Sequence, residues 1–337
     1  MKPNLLVLDD YEGALASAPA MQRLRQVADV TILDHPLTIH DQPQLQAAEI
    51  LLALRERTSM DRAFFEQCPN LQLVLQTGGH AYHLDQGAAT ELGIIVALGR
   101  GRTTKPPIVV PELVFGLMLG LVRQIYRLHA EMAVGGWGES MGGALDGRTL
   151  GILGYGRHGR PVARLAEAFG MNVIAWQRDP QQRVDEFGVE RLPLETLLSR
   201  ADVVSIHLRL SEESRGLLNR ARLRQMKPSA ILINTSRGAI VEEAALVEAL
   251  QQKWIAGAGL DVFAIEPLPA SSPLRSLPNV LLTPHVGWKV YDVLHEFVEI
   301  AATQLERWLN RELASAEVLN ADAMAVAKER NGGLRSS

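Results

Sequence analysis

The segment Gly154-Tyr155-Gly156-Arg157-His158-Gly159 follows an apolar run, Thr149 to Leu153, and precedes a segment of helical composition, Pro161 to Phe169. Between a strand and a helix, glycines at this spacing permit a tight turn and let backbone amides approach a pyrophosphate. The phosphates then sit at the helix N-terminus. A dinucleotide is the expected ligand, with a purely structural glycine turn as the alternative. About 20 residues on, an acid would bind the 2'-hydroxyl of the adenosine ribose and an arginine would accept a 2'-phosphate. Here the next apolar run ends Trp176-Gln177-Arg178-Asp179, with Gln177 where the carboxylate is expected. The pair Gln177 and Arg178 leans toward NADP(H), while Gln177 binding the hydroxyls of NAD(H) remains open.

Further along, three side chains have types that act together. Arg237, Glu266 and His285 each lie just past an apolar run that reads as a strand. In an open parallel sheet, ligands meet the carboxyl ends of the strands. A guanidinium holds a carboxylate bidentately, and a protonated imidazole stabilises and protonates an oxygen that gains charge. A neighbouring carboxylate favours the imidazolium. Together they make the set that reduction of a 2-oxo acid requires. Singly, each has a duller explanation: Arg237 in a surface ion pair, Glu266 solvated before Pro267, His285 in a turn, and Asp261 as a turn cap.

These positions need a scaffold. Short apolar runs at Leu5 to Leu8, Val30 to Leu33, Ile50 to Leu54, Leu71 to Leu75 and Ile94 to Leu98 alternate with helical segments such as Ala14 to Val27. A second series reads Leu150 to Leu153, Val173 to Trp176, Val203 to Leu208, Ile231 to Thr235, Gly259 to Phe263 and Val280 to Thr283. Continuous apolar strands alternating with helices predict parallel sheets covered on both faces. Between the two series, Pro111 and Glu112 suit a first helical turn, and Leu113 to Val122 is apolar all round, so that helix must be buried. The amphipathic segment Val290 to Leu309 has no strand of its own in the second series and is expected to return to the first. Gly99 to Pro107 has linker chemistry, and the polar tail from Ala321 is expected to fray.

Composition narrows the partners. The net charge of -4 and pI of about 6.2 give no basic footprint for nucleic acid or anionic lipid, so a small molecule is the expected ligand. The ten residues of the longest uncharged apolar stretch, 113–122, fall short of the roughly 20 that span a bilayer. A single cysteine, Cys68, and no HExxH-type spacing imply neither a disulfide nor a metal. A reducing, cytoplasmic setting fits best.

The chain resembles the D-isomer-specific 2-hydroxyacid dehydrogenase family over nearly its whole length. The resemblance rests on Thr149 to Gly159, Met226 to Gly238, Ala256 to Pro269 and Leu277 to Gly287. It implies an α/β protein of two doubly wound parallel-sheet domains. A Rossmann-type cofactor domain, 103–287, is inserted into a flavodoxin-like substrate domain formed by 1–102 plus 288–337, with a hinged cleft that closes over the substrate. It further implies that Arg237 holds the substrate carboxylate, His285 is the acid/base and Glu266 its partner. Gly78 and Gly79 would offer backbone amides to the substrate. Gly154, Tyr155, Gly156, Arg157, His158, Gly159, Gln177, Arg178, His207, Thr235, Ser236 and Asp261 would line the cofactor. A homodimer through the helix Pro111 to His129 is also implied. Departures from the family pattern are the absent acid at 177, His158 in place of an aliphatic residue, and no proline after His207. The expected activity is NAD(P)-dependent interconversion of small 2-hydroxy and 2-oxo acids, glyoxylate or hydroxypyruvate among them. The rival reading is a non-catalytic dinucleotide-sensing protein, akin to a corepressor.

Overall fold

The computed structural model describes residues 2–99, 108–177 and 188–327. Arg178, the linker 100–107 and the tail from residue 328 lie outside the described residues. The chain divides into two units, Met1–Lys105 with Val290–Ser337, and Pro106–Lys289. The second crossing falls two residues beyond 287, since Asp261 ties the backbone of Val286 and Gly287 to the second unit.

The first unit alternates β1 (Asn4–Val7), α1 (Met21–Val27), β2 (Asp29–Ile32), α2 (Gln42–Ala47), β3 (Ile50–Ala53), α3 (Arg62–Glu66), β4 (Leu73–Gln76), α4 (Gln86–Glu91) and β5 (Ile95–Leu98). The strands form one parallel sheet in the order β2-β1-β3-β4-β5. Strands β3, β4 and β5 are buried along their whole length, which is why they read as unbroken apolar runs. Helix α1 is shorter than composition suggests and starts at Met21, not Ala14. The buried carboxylate of Asp10 accepts hydrogen bonds from the amides of Leu15 and Ala16 at 2.9 and 2.8 Å, and this holds the preceding residues in turns.

The second unit opens with α5 (Val109–Val122) and α6 (Ile125–Ala133), then runs β6 (Thr149–Leu153), α7 (Gly159–Ala168), β7 (Asn172–Trp176), β8 (Glu190–Arg191), α8 (Leu194–Arg200), β9 (Val203–Ile206), α9 (Arg220–Leu223), β10 (Ile231–Asn234), α10 (Glu243–Gln251), β11 (Gly257–Leu260) and β12 (Val280–Leu282). Its seven parallel strands are ordered β12-β11-β10-β9-β6-β7-β8. Chain order reverses between β6 and β9, the place where such sheets bind dinucleotides. Strand β8, two residues pairing with Ile174 and Ala175, is too short to leave a periodic signal. The predicted helix Pro111 to His129 is two helices that bend by 65° at Gln124, whose φ of 54° is left-handed. Helix α5 packs on β10, β11 and β12 and buries Val114, Phe115, Leu117, Met118, Leu121 and Val122, whereas α6 buries no residue. Among the described residues no single helix is long and apolar enough to cross a membrane.

The chain then returns to the first unit as α11 (Tyr291–Leu309), which packs on α1 and β4. Arg23 on α1 donates through Nε and Nη2 to the carboxylate of Glu306 at 3.0 and 2.6 Å. Buried Gln304 donates to the Leu98 carbonyl at 2.8 Å. Asn320 then caps β5, accepting from Val96 N and donating to the Ile94 carbonyl, both at 2.9 Å.

Candidate active site

The carboxyl edge of the second sheet gathers most of the residues singled out in the sequence. The phosphate loop leaves β6 through Gly154, at φ 98°, where a side chain would strike the His207 backbone at 2.8 Å. Gly159 opens α7 so close to the Gly154 carbonyl that a Cβ there would collide with it. The two glycines therefore let the loop fold tightly between β6 and α7. Gly156 and Arg157 are exposed and His158 half-buried, while Tyr155 turns inward and is 4% exposed. The guanidinium groups of Arg160 and Arg191 lie 5.7 Å from its ring centroid.

The imidazole of His207, at the end of β9, shares a 2.9 Å hydrogen bond with Ser205 Oγ. Burial, reinforced by neighbouring His158, pushes its pKa down to about 3. His158 is lowered too, by burial and then by the charge of Arg157. Gln177 ends β7 half-buried, on the same edge.

The loop after β10 is built by Asn234, a residue whose role the sequence did not disclose. Its buried side chain accepts from Ser236 N and donates to the Arg237 carbonyl, both at 3.0 Å, closing the turn 234–237. Ser236 Oγ donates to the Leu208 carbonyl. Thr235 Oγ1 is buried and meets no hydrogen-bond partner, an orphan of the kind a bound polar ligand satisfies. Gly238 lies against the backbone of Phe263 and Ala264, where any side chain would clash, and this close approach sets the Arg237 loop beside the loop that carries Glu266.

The imidazole of His285 meets Glu266 directly. Nδ1 lies 2.6 Å from Oε2, so Nδ1 carries the proton and donates it to the carboxylate, while the other carboxylate oxygen accepts from Phe263 N at 2.9 Å. Burial pushes the Glu266 carboxyl up. The His285 bond, the Phe263 amide and the charges of His285 and Arg237 outweigh it and hold the group below the usual carboxylate range. Ionised, Glu266 fixes the ring, and Nε2 is left free of that bond.

His285 itself adopts φ 54°, a left-handed conformation costing a β-carbon residue about 1–2 kcal/mol. The strain is held by Asp261, 1% exposed, which accepts from Thr283 Oγ1 at 2.6 Å, Val286 N at 2.8 Å and Gly287 N at 2.9 Å. Burial raises the Asp261 pKa against those hydrogen bonds. Asp261, read both as a cofactor residue and as a turn cap, is buried and braces the His285 turn, with Thr283 as a second support that the sequence did not mark. Gly78 and Gly79 belong to the first unit, following β4, with Gly78 buried at φ 91° and Gly79 exposed. Among the described residues no group of three or more His, Cys, Asp or Glu side chains is placed to hold a metal ion.

With this geometry in hand, the chain can be set beside known proteins. A family model described as D-isomer specific 2-hydroxyacid dehydrogenase, NAD binding domain, matches residues 115–287. The chain is 38% identical over 255 residues to a glyoxylate reductase of Korarchaeum cryptofilum, covering 73% of this chain and 75% of that protein. It is 37% identical over 272 residues to a glycerate dehydrogenase of Methylorubrum extorquens, covering 78% and 82%. The solved structure of a phosphoglycerate oxidoreductase from Vibrio cholerae o395 superimposes with a TM-score of 0.82 at 32% identity, covering 92% of this chain and 99% of that one.

The buried, neutral His207 has a measurable consequence. In the unfolded chain a histidine protonates near pH 6.5, whereas folded His207 stays neutral to about pH 3. Its contribution to stability is therefore fully present above pH 6.5 and is lost as pH falls below that value. Denaturant unfolding between pH 7.5 and 5 should show stability declining by up to about 1.4 kcal/mol per pH unit from this group. His207→Gln should flatten that decline; an unchanged slope would contradict the assignment.

Proposed function

The chain belongs to the D-isomer-specific 2-hydroxyacid dehydrogenase family, and on that premise we propose that it reduces a short 2-oxo acid of the glyoxylate or hydroxypyruvate type, with Arg237, Glu266 and His285 as the reacting set. As a family member it is an oxidoreductase that acts on the CH-OH group of 2-hydroxy acids with a nicotinamide dinucleotide. The observation that carries the assignment of roles is the 2.6 Å contact between His285 Nδ1 and Glu266.

Bound at the carboxyl edge, the dinucleotide supplies the hydride for C2. The protein's side chains do the rest. Arg237 takes the substrate carboxylate through its guanidinium and so orients C2. His285, held by Glu266 through Nδ1, presents Nε2 as the acid that protonates the carbonyl oxygen, and in the reverse direction as the base that accepts the hydroxyl proton. Asp261 positions His285 from beneath. The fit to a dinucleotide is supported by the narrow glycine turn at 154–159 and by the orphaned hydroxyl of Thr235.

Between the two cofactors, the reading favours NADP(H). No carboxylate stands at Gln177, where it would repel a 2'-phosphate, and strand β8 sets Arg191 in register beside Ala175 near the end of β7. The assembly is read as a homodimer. Helix α6 buries nothing, and Ile125, Met132, Val134, Trp137 and Met141 are at least 55% exposed in this one stretch, an apolar surface that a second copy would cover.

Three measurements test these readings. Against a panel of 2-oxo acids, His285→Ala should lower kcat by roughly 10²–10⁴-fold, and Arg237→Ala should also raise KM. Near-normal turnover in either purified variant refutes the roles. Binding titrations at physiological salt should give a lower Kd for NADPH than for NADH, and the opposite order overturns the cofactor preference. Light scattering should return twice the 37.0 kDa of one chain, and a monomer at micromolar concentration removes the dimer.

A further inference from the structure

Among the described residues, a single main-chain hydrogen bond ties the segment 264–267, which carries Glu266, to the rest of its unit: Ala264 N donates to Oε2 of Glu243 at 3.0 Å. Ala264, Ile265, Glu266 and Pro267 are all exposed, between buried Phe263 and buried Leu268. The segment thus crosses the surface with an apolar anchor at each end and one carboxylate at its first amide. Glu243 is a fixed post for that amide. It opens α10, whose Ala245, Leu246, Ala249 and Leu250 are packed into the core of the second unit.

Two consecutive amides of this loop are taken by two different carboxylates. Phe263 N donates to Oε1 of Glu266 at 2.9 Å, next to the Ala264 N bond to Glu243, and the other oxygen of Glu266 meets His285 Nδ1 at 2.6 Å. The peptide that joins Phe263 to Ala264 is also the one on which Gly238 lies, too close for any side chain. That peptide is therefore held by the Arg237 loop through contact and by α10 through a charge-assisted hydrogen bond. We propose that Glu243 is a positioning residue for the reaction, which fixes the Ala264 amide and so sets the loop that aims Glu266 at His285. The proposal rests on the reading that Glu266 and His285 act as a pair in the reduction. Its task is to hold one amide, so a neutral acceptor of the same shape can do it and an aliphatic side chain cannot.

The test follows turnover of glyoxylate by the full-length protein with NADH and with NADPH. It also reads the far-downfield NMR resonance of the His285 Nδ1 proton, assigned by its loss in His285→Ala. In Glu243→Ala, kcat should fall roughly tenfold, because a small misplacement of an acting group costs rate heavily. The KM for glyoxylate and the Kd of the cofactor should stay within about twofold. The Nδ1 proton resonance should shift upfield or broaden away, while the melting temperature falls by no more than about 4 °C. Glu243→Gln, which keeps an oxygen for Ala264 N, should return kcat to within about threefold of the unmodified protein. Since Glu243 acts through Glu266, adding Glu243→Ala to Glu266→Gln should cost less than about a further twofold. The same loss with and without the Glu266 substitution overturns the proposal, as does a loss that glutamine fails to restore. Unchanged kcat with an unchanged resonance in Glu243→Ala overturns it too. An unmodified protein that reduces no glyoxylate removes the substrate reading alone, and the proton resonance then decides the positioning role by itself.

Discussion

One buried carboxylate organises the edge of the second sheet. Asp261 has almost no access to solvent, and it uses both oxygens on the turn that carries His285. The left-handed backbone of that histidine is stable only because hydrogen bonds on both sides, to Thr283 and to Val286 and Gly287, over-determine it. Glu266 then fixes the ring itself. Backbone and side chain of one histidine are thus held by two acids with different tasks, one buried and facing the chain, the other half-exposed and facing the imidazole.

The remaining loops are joined to this pair through close contacts of the main chain. Asn234 closes the Arg237 turn, Gly238 lays that turn against Phe263 and Ala264, and Asp261 N donates to the Asn234 carbonyl at 2.9 Å. The last two links cross between neighbouring parallel strands, β10 and β11, whose register is itself fixed by two buried apolar faces. The arginine and the glutamate therefore inherit their separation from strand pairing. Such placement on rigid elements is what keeps a reacting set within tolerance.

Much of this was legible in the sequence, for physical reasons that differ from part to part. Strands buried on both faces leave unbroken apolar runs, so both sheets could be read, and a glycine loop between strand and helix announces its own geometry. Arg237, Glu266 and His285 stood out because charged residues directly after buried strands need a reason. The shortfalls involve contacts distant in sequence. Asp261 was readable as a turn cap, but not which turn it caps, since its partners lie 22 to 26 residues ahead. Asn234 and Thr283 look like ordinary strand-end residues. The late start of α1 depends on Asp10 accepting from the amides of Leu15 and Ala16, and the bend at Gln124 divides what periodicity alone would join. Strand β8 is two residues long and exists only because β7 is there to pair with it.

The hydroxyl of Thr235 carries a last implication. A donor sealed from water without an acceptor costs a folded protein on the order of 1–3 kcal/mol, a sizeable fraction of the margin by which a domain stays folded. A chain selected for ruggedness alone would favour a branched apolar side chain of the same shape at that position. A valine there would fill the same shape without the unpaired donor, so the hydroxyl is held against the stability of the second unit.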